Sequence, residues 1–329
     1  MARRLSVTVE CFELAAAFTI ARGSKREAIV VVATIEDGSA AGRGECVPYA
    51  RYDESVDSVS RAIETARAAI EAGASREALQ ALLPAGAARN ALDCALWDLE
   101  AKLSGTSVAS RIGITAPRPL ETAYTISLGT PEAMAAATRA AAGRTLLKIK
   151  VGGGDGDVER IRAVHAAAGG ARLILDANEG WNETNFRQNM LAAAAAGAIL
   201  VEQPLPVGRD ALLAAVPHPV PVCADESLHQ TGDLAGLAGR YDFVNVKLDK
   251  TGGLTEALAL VEEARNLGFG VMVGCMVASS LAMAPAVLLG QHADIIDLDG
   301  PLLMKADRPA GLVYAGSTVS APTAALWGG

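Results

Sequence analysis

Aromatic residues make up only 4% of this 329-residue chain, so Ala, Val, Leu and Ile must fill its core. Hydrophobic residues are 51% and charged residues 20%, which excludes a disordered chain. The length exceeds one small module; two domains, or a large barrel with an appendage, are expected. Positive charge is not in excess. The net charge is −8, with no Lys/Arg cluster and no aromatic–basic interleaving, so a nucleic-acid partner is not expected. Cysteine is scarce: Cys11, Cys46, Cys94, Cys223 and Cys275 are odd in number and form no CxxC. Neither a disulfide framework nor a zinc ribbon is indicated, and the reducing cytoplasm is the expected compartment. The four histidines (His165, His218, His229, His292) fall in helical or loop contexts without an HExxH.

Long apolar runs are also missing. The start, Met1-Ala2-Arg3-Arg4, has the basic look of a signal peptide, but Glu10 and Glu13 interrupt any apolar stretch after it. The uncharged stretch from Asn266 to Gln291 is broken by Gly268, Gly270, Gly274, Pro285 and Gly290. It reads as strand, turn and buried helix, so no membrane partner is expected. Self-association is left open.

What the chain does have is a change of pattern near residue 118. Segments 4–12 and 27–36 are rich in Val, Ile and Thr and predict antiparallel strands, with Arg22-Gly23-Ser24-Lys25-Arg26 as a loop between them. Residues 53–72 and 86–104 have helical periodicity, the second with Ala91, Ala95, Leu96, Leu99 and Leu103 on one face. This predicts an α+β domain over residues 1–118, ending in a linker around Ile114–Pro119. From residue 119 a short apolar strand followed by a helix recurs. The strands are ETAYTIS, TLLKIKV, ARLILDA, AILVEQP, VPVCADE, DFVNVKL, FGVMVGC and ADIIDLD. Lys150, Asp176, Glu202, Asp225 and Lys247 end successive strands at intervals of 26, 26, 23 and 22 residues. The fold class is therefore α/β: a (β/α)7β-type TIM barrel over 119–303 with an N-terminal α+β capping domain. Residues 304–329 lack another βα period and are expected to return to the cap.

The carboxyl ends of barrel strands meet at one mouth, so the carboxylates of Asp176, Glu202 and Asp225 should converge. Three converging anions repel unless a cation lies between them, and oxygen ligands favour Mg²⁺ or Mn²⁺. Lys148 and Lys150, two apart on one strand, share a face with Leu146 and point into the barrel. Lys247 lies four strands away, across the mouth. Lysines facing each other across a metal suit removal of a proton from one face of a carbon and its return to the other. Such a base must have its pKa brought from ~10.4 to about 7–8, and a neighbouring Lys⁺ and a divalent cation act in that direction. Asp297 and Asp299 also share a face and would attract a cationic substrate group such as an ammonium.

These residues resemble the muconate-lactonising subgroup of the enolase superfamily. The matching segments are Lys148-Ile149-Lys150, Asp176-Ala177-Asn178, Glu202-Gln203-Pro204, Asp225-Glu226-Ser227 and Asn245-Val246-Lys247. Within it the chain is similar to the dipeptide epimerases, especially bacterial L-Ala-D/L-Glu epimerases. That similarity rests on Ile20–Ser24, PAGAARNALDCALWDL, KLDKTGGLTEALAL, Gly274-Cys275-Met276 and Asp297–Gly300. The resemblance implies an isomerase that inverts the α-carbon of the C-terminal residue through an enediolate. It further implies that Asp176, Glu202 and Asp225 bind Mg²⁺, that Lys150 and Lys247 are the two acid/base catalysts, and that Lys148 assists Lys150. Asp297 and Asp299 would hold the dipeptide ammonium and Arg22 an acidic side chain; Lys25 and Arg26 could help Arg22, but a solvated loop face is the role expected of them. A role in recycling cell-wall peptides would follow.

The alternatives are an N-acylamino-acid racemase or an o-succinylbenzoate synthase, whose substrates lack the ammonium that Asp297 and Asp299 suit. A remoter one is an NAD-dependent Rossmann oxidoreductase, because Gly152-Gly153-Gly154-Asp155-Gly156 comes directly after a strand. That fingerprint fails at its third glycine, which is Asp157, and the acids there would repel a pyrophosphate.

Overall fold

Residues 4–46 fold into a three-stranded antiparallel sheet, β1 (Arg4–Ile20), β2 (Gly23–Asp37) and β3 (Ala40–Cys46), in that spatial order. This is seen in a computed structural model that describes residues 3–329; Met1 and Ala2, part of the basic start, lie outside the described residues. Alternation decides the faces. Val31, Ala33 and Ile35 pack with Leu5 against the cap helices, while Val30 and Val32 face the barrel side. The expected loop at Arg22–Arg26 is instead the far end of a long hairpin. A register shift between Glu13 and Phe18 is followed by renewed pairing of Phe18 with Lys25 and Ile20 with Gly23, leaving only Ala21 and Arg22 in the turn. Its polar residues are strand residues because this end leans on the barrel, where Thr19 O accepts Leu128 N at 2.9 Å.

β3, AAGRGEC, has few strand formers, and the sequence did not announce it. Its glycines serve a close approach. A Cβ on Gly44 would stand 2.1 Å from Ala91 O and one on Gly42 2.1 Å from Ala95 O, both on the helix packed across the strand. Gly44→Ala therefore forces backbone from backbone and is expected to lower stability by about 3 kcal/mol, read as a reduced urea midpoint.

Three longer helices cover the sheet: α1 (Val56–Glu71), α2 (Arg76–Leu82) and α3 (Ala87–Ser104), followed by the single turn α4 (Val108–Arg111). α1 starts where Ser55 and Ser58 cap each other reciprocally and buries Val59, Ile63, Ala66 and Ile70 at helical spacing. On α3, Ala91, Ala95, Leu96 and Leu99 are buried as expected, but Leu103 is 53% exposed. The helix emerges from the core in its last turn, so its periodicity outlasts its burial.

After the two-residue strand β4 (Leu120–Glu121) come eight parallel strands. They are β5 (Tyr124–Ile126), β6 (Leu146–Lys150), β7 (Arg172–Asp176), β8 (Leu200–Glu202), β9 (Val222–Ala224), β10 (Phe243–Val246), β11 (Gly270–Gly274) and β12 (Ile295–Asp297). Each pairs with the next in sequence order. The remaining seam carries two hydrogen bonds: Ala123 N donates to Ile296 O and Leu298 N to Thr122 Oγ1, each at 2.8 Å. The expected strand ETAYTIS is split between β4 and β5 because Leu120 and Glu121 pair elsewhere. Helices α5 (Pro131–Ala140), α6 (Asp157–Ala167), α7 (Phe186–Ala195), α8 (Leu212–Ala215), α9 (Leu234–Leu237), α10 (Leu248–Thr251), α11 (Leu254–Asn266) and α12 (Ser280–Leu289) fill the connections. Leu146, Ile174, Leu200, Cys223 and Met272 plug the barrel below its mouth. The Rossmann alternative fails here. Asp157 turns inward and accepts Gly152 N and Trp181 Nε1, closing the glycine loop on itself.

β13 (Tyr314–Ala315) and β14 (Thr318–Val319) pair with β4, and the chain then crosses back to the cap. Trp327, 1% exposed, donates from Nε1 to Arg43 O and Cys94 O, and Gly328 N donates to Asp98. Among the described residues no helix is long and apolar enough to cross a membrane.

Candidate active site

A cavity of about 450 Å³ lies between the cap hairpin and the carboxyl ends of the barrel strands. The hairpin supplies Phe18, Arg22 and Lys25, the segment after β3 supplies Tyr49 and Tyr52, and the barrel supplies Lys150, Asp225, Lys247 and Cys275. Lys25 therefore corrects the expectation of a solvated loop face; Arg26, next to it, is exposed. Lys25 Nζ and Lys150 Nζ each stand 5.8 Å from the Phe18 ring centre.

Below the cavity the strand ends converge as their spacing predicts. Asp176 and Lys150 are in register across β7 and β6, and Asp176 pairs with Glu202 across β7 and β8. Lys150 and Lys247 come from β6 and the end of β10, four strands apart, and both face the cavity. Lys148 Nζ lies 3.1 Å from Asp176, 2.8 Å from Glu202 and 2.7 Å from Asp297. Lys150 donates to Asp176 Oδ2 at 2.6 Å, and Lys247 to Asp225 Oδ2 at 2.6 Å. Asp299 immediately precedes the 3-10 turn Gly300–Leu303, but its side chain does not cap that turn; its Oδ2 accepts Thr125 N at 2.6 Å. Arg22, at the hairpin turn, donates to Asn178 O at 2.8 Å and to Glu226 Oε1 at 2.6 Å.

The sequence did not single out several buried partners. Lys250 donates to Asp225 Oδ1 at 2.7 Å and to Asn245 O at 3.0 Å, so two lysines share one carboxylate. Its signal was a second lysine one helical turn after a strand-ending lysine. Gln203 ties two strand ends together: its Oε1 accepts Asp225 N at 2.9 Å and Ser227 N at 3.1 Å. Gln203, Asn178 and Glu179 all have positive φ (33°, 46° and 67°), a strain that collects beside the converging acids. Asn245 donates to Glu202 Oε1 at 2.8 Å.

Burial and charge pull against each other here. Burial raises Asp225, but Lys247 and Lys250 outweigh it and hold the carboxyl well below the usual range. Burial lowers Lys247, but Asp225 outweighs it and holds the ammonium up; Asp297 does the same for Lys148. Glu202 is pushed up to about 7 by burial and by Asp176, and Asp299 to about 7 by burial and by Asp297.

Among the described residues no three His, Cys, Asp or Glu side chains close around one point in metal-holding geometry; ammonium groups stand between the carboxylates. The donor set nonetheless fits a hard cation. It is made of buried carboxylate oxygens, and Asn178 Oδ1, Glu226 Oε2 and Asp297 Oδ1 around it have no hydrogen-bond partner among the described residues.

Comparison with known proteins agrees with this architecture. An L-Ala-D/L-Glu epimerase of Escherichia coli (strain K12) is 48% identical over 95% of this chain and 98% of its own. An N-acetyl-D-glutamate racemase of Pseudoalteromonas sp is 45% identical over 91% of this chain and 95% of its own. A crystal structure of an enolase family member from Agrobacterium tumefaciens, described as homologous to dipeptide epimerases with bound sodium and L-Ala-L-Glu, superposes with a TM-score of 0.98. It is 56% identical and covers 99% of this chain and 100% of its own. A dipeptide epimerase from Cytophaga hutchinsonii, complexed with Mg and D-Ala-L-Val, has a TM-score of 0.90 at 27% identity, covering 98% of this chain and 94% of its own. Residues 3–113 match the N-terminal domain model of mandelate racemase/muconate lactonizing enzymes and residues 132–322 the enolase C-terminal domain-like model, so the chain belongs to the mandelate racemase/muconate lactonizing family of the enolase superfamily.

Proposed function

We propose that this protein is a dipeptide epimerase that inverts the α-carbon of a C-terminal residue, with L-Ala-D/L-Glu as its substrate pair. The observation that carries the reading is the placement of Lys150 and Lys247 on opposite sides of one cavity. An α-carbon held between them presents its proton to one amine in one epimer and to the other amine in the second. Lys148, within reach of three carboxylates, places a further positive charge beside Lys150, where a substrate carboxylate gains negative charge. A Mg²⁺ ion, or Mn²⁺ in its place, held by Asp176, Glu202 and Asp225, would neutralise those carboxylates, free the lysine amines and draw charge into the substrate carboxylate. Asp297 and Asp299 hold the N-terminal ammonium. Arg22 leaves Glu226 to pair with an acidic substrate side chain. The cap hairpin excludes water from the cavity. Residues 1–118 are assigned as cap, 119–303 as barrel and 304–329 as the returning segment; the enzyme acts in the cytoplasm, on peptides recycled from the cell wall.

The test is proton NMR in D₂O with Mg²⁺ and L-Ala-L-Glu or L-Ala-D-Glu. The α-proton signal of the C-terminal residue should disappear as the diastereomer forms. Arg22→Gln should raise KM for these substrates about 10- to 100-fold, the worth of a charged hydrogen bond, and leave L-Ala-L-Leu unchanged. A second reading, racemisation of N-acylated amino acids, is favoured by the Pseudoalteromonas relative. Turnover of N-acetylglutamate without turnover of any dipeptide would establish it and remove the ammonium role from Asp297 and Asp299.

A further inference from the structure

Lys247 stands one residue beyond the last rung of its strand. β10 pairs with β11 only as far as Val246 with Val273, whereas Lys150 is still in register with Asp176. The sheet ladder therefore fixes the backbone of Lys150 and leaves that of Lys247 to the segment after it. That segment is α10, a single turn, and it is docked on the cap. Asp249 Oδ1 accepts Val47 N at 3.0 Å, just past β3, and Asn90 Nδ2 at 2.8 Å, on α3. Arg89, also on α3, donates to Thr251 O at 2.6 Å and to Gly252 O at 3.2 Å. At Gly253 a Cβ would stand 2.4 Å from Asp93, so the turn after α10 is pressed against α3.

Asp249 is 6% exposed, and no ion pair to it is present among the described residues. A carboxylate buried on one amide and one backbone N–H is expensive, and simple packing would be met by an apolar side chain. What the carboxylate does that an apolar residue cannot is fix the register of α10 against two separate cap elements at once.

We propose that Asp249, held by Asn90 and the Val47 N–H, is the positioning residue for Lys247, so that the barrel fixes one base and the cap fixes the other. This rests on the reading of Lys150 and Lys247 as two bases. It makes cap docking a condition for chemistry on one face of the substrate and not on the other. A residue that merely stapled the domains together would affect both faces alike.

The experiment measures initial α-proton exchange in D₂O, by proton NMR, starting separately from L-Ala-L-Glu and from L-Ala-D-Glu. Lys247→Met first identifies the epimer whose exchange depends on Lys247. Asp249→Leu should then slow exchange from that same epimer about tenfold or more, while exchange from the other stays within about twofold. Asp249→Asn, which keeps an acceptor oxygen for both partners, should restore the rate. Asn90→Leu tests the contact from the cap side and decides the matter if Asp249→Leu does not fold. Equal loss from both epimers, or no loss, overturns the proposal. If Lys247→Met itself slows both epimers equally, it is the two-base reading that fails, and the proposal falls with it.

Discussion

Lys150→Met and Lys247→Met should each lose epimerisation by about 10³-fold or more, yet each should still exchange the α-proton of one epimer with D₂O. Inversion needs one lysine to take the proton and the other to supply one, so removal of either stops it. Exchange with retention needs only the lysine that remains. The two variants should therefore spare opposite epimers. Neither should unfold the protein, because each carboxylate keeps a second buried ammonium: Asp176 keeps Lys148 at 3.1 Å, and Asp225 keeps Lys250 at 2.7 Å. Leaving a buried acid without any cation would cost about 3–5 kcal/mol; here that loss is covered. Isotope exchange read by NMR, beside a thermal melt, checks both halves. Both variants sparing the same epimer would refute a base on each face. Lys148→Met should behave differently, slowing both directions together, because its ammonium reaches Asp176, Glu202 and Asp297.

The barrel was legible because a strand buried on both faces is a continuous apolar run, and because ionisable residues recur once per βα unit. Lys148 and Lys150 announced their direction through the two-residue period of a strand. The cap was read less well, for physical reasons. β3 is a strand made mostly of small residues, chosen by the nearness of α3 and not by strand propensity. The hairpin end at Gly23–Arg26 looks like a loop because its side chains meet a polar cavity and the barrel rim, and composition does not tell those from solvent. Lys25 was expected on a solvated face for that reason. Lys250 and Gln203 act through neighbours: one holds a carboxylate from behind, the other ties two strand ends together. Such contacts depend on tertiary placement and leave no period in the sequence.

Chelation with EDTA should abolish turnover, and Mg²⁺ should restore it and raise the melting temperature. A cation present at ~100 times its Kd adds about 2.7 kcal/mol to stability, on the order of 5 °C for a chain of this size. The decisive variant is Glu202→Gln. Of the three converging acids, Glu202 is the least covered by cations: Lys148 is 2.8 Å away and Lys247 4.0 Å, against two close lysines each for Asp176 and Asp225. Burial and the Asp176 charge already favour its neutral form, with a pKa of about 7. An uncharged amide of the same shape should therefore keep the metal-free protein folded at neutral pH. Asn245 Nδ2 can still donate to the remaining side-chain oxygen, as it does to Glu202 Oε1. Cation binding requires the ionised acid, so Glu202→Gln should lose the Mg²⁺-dependent rise in melting temperature along with activity. Calorimetric titration of Mg²⁺ into the two proteins reads the same difference without turnover. If Glu202→Gln binds Mg²⁺ as the parent does, the three strand-end acids are a lysine-neutralising cluster and the cation lies elsewhere. If Glu202→Gln loses both, the regular spacing of acids along the barrel strands has a single cause: each βα unit delivers one oxygen ligand to the same point.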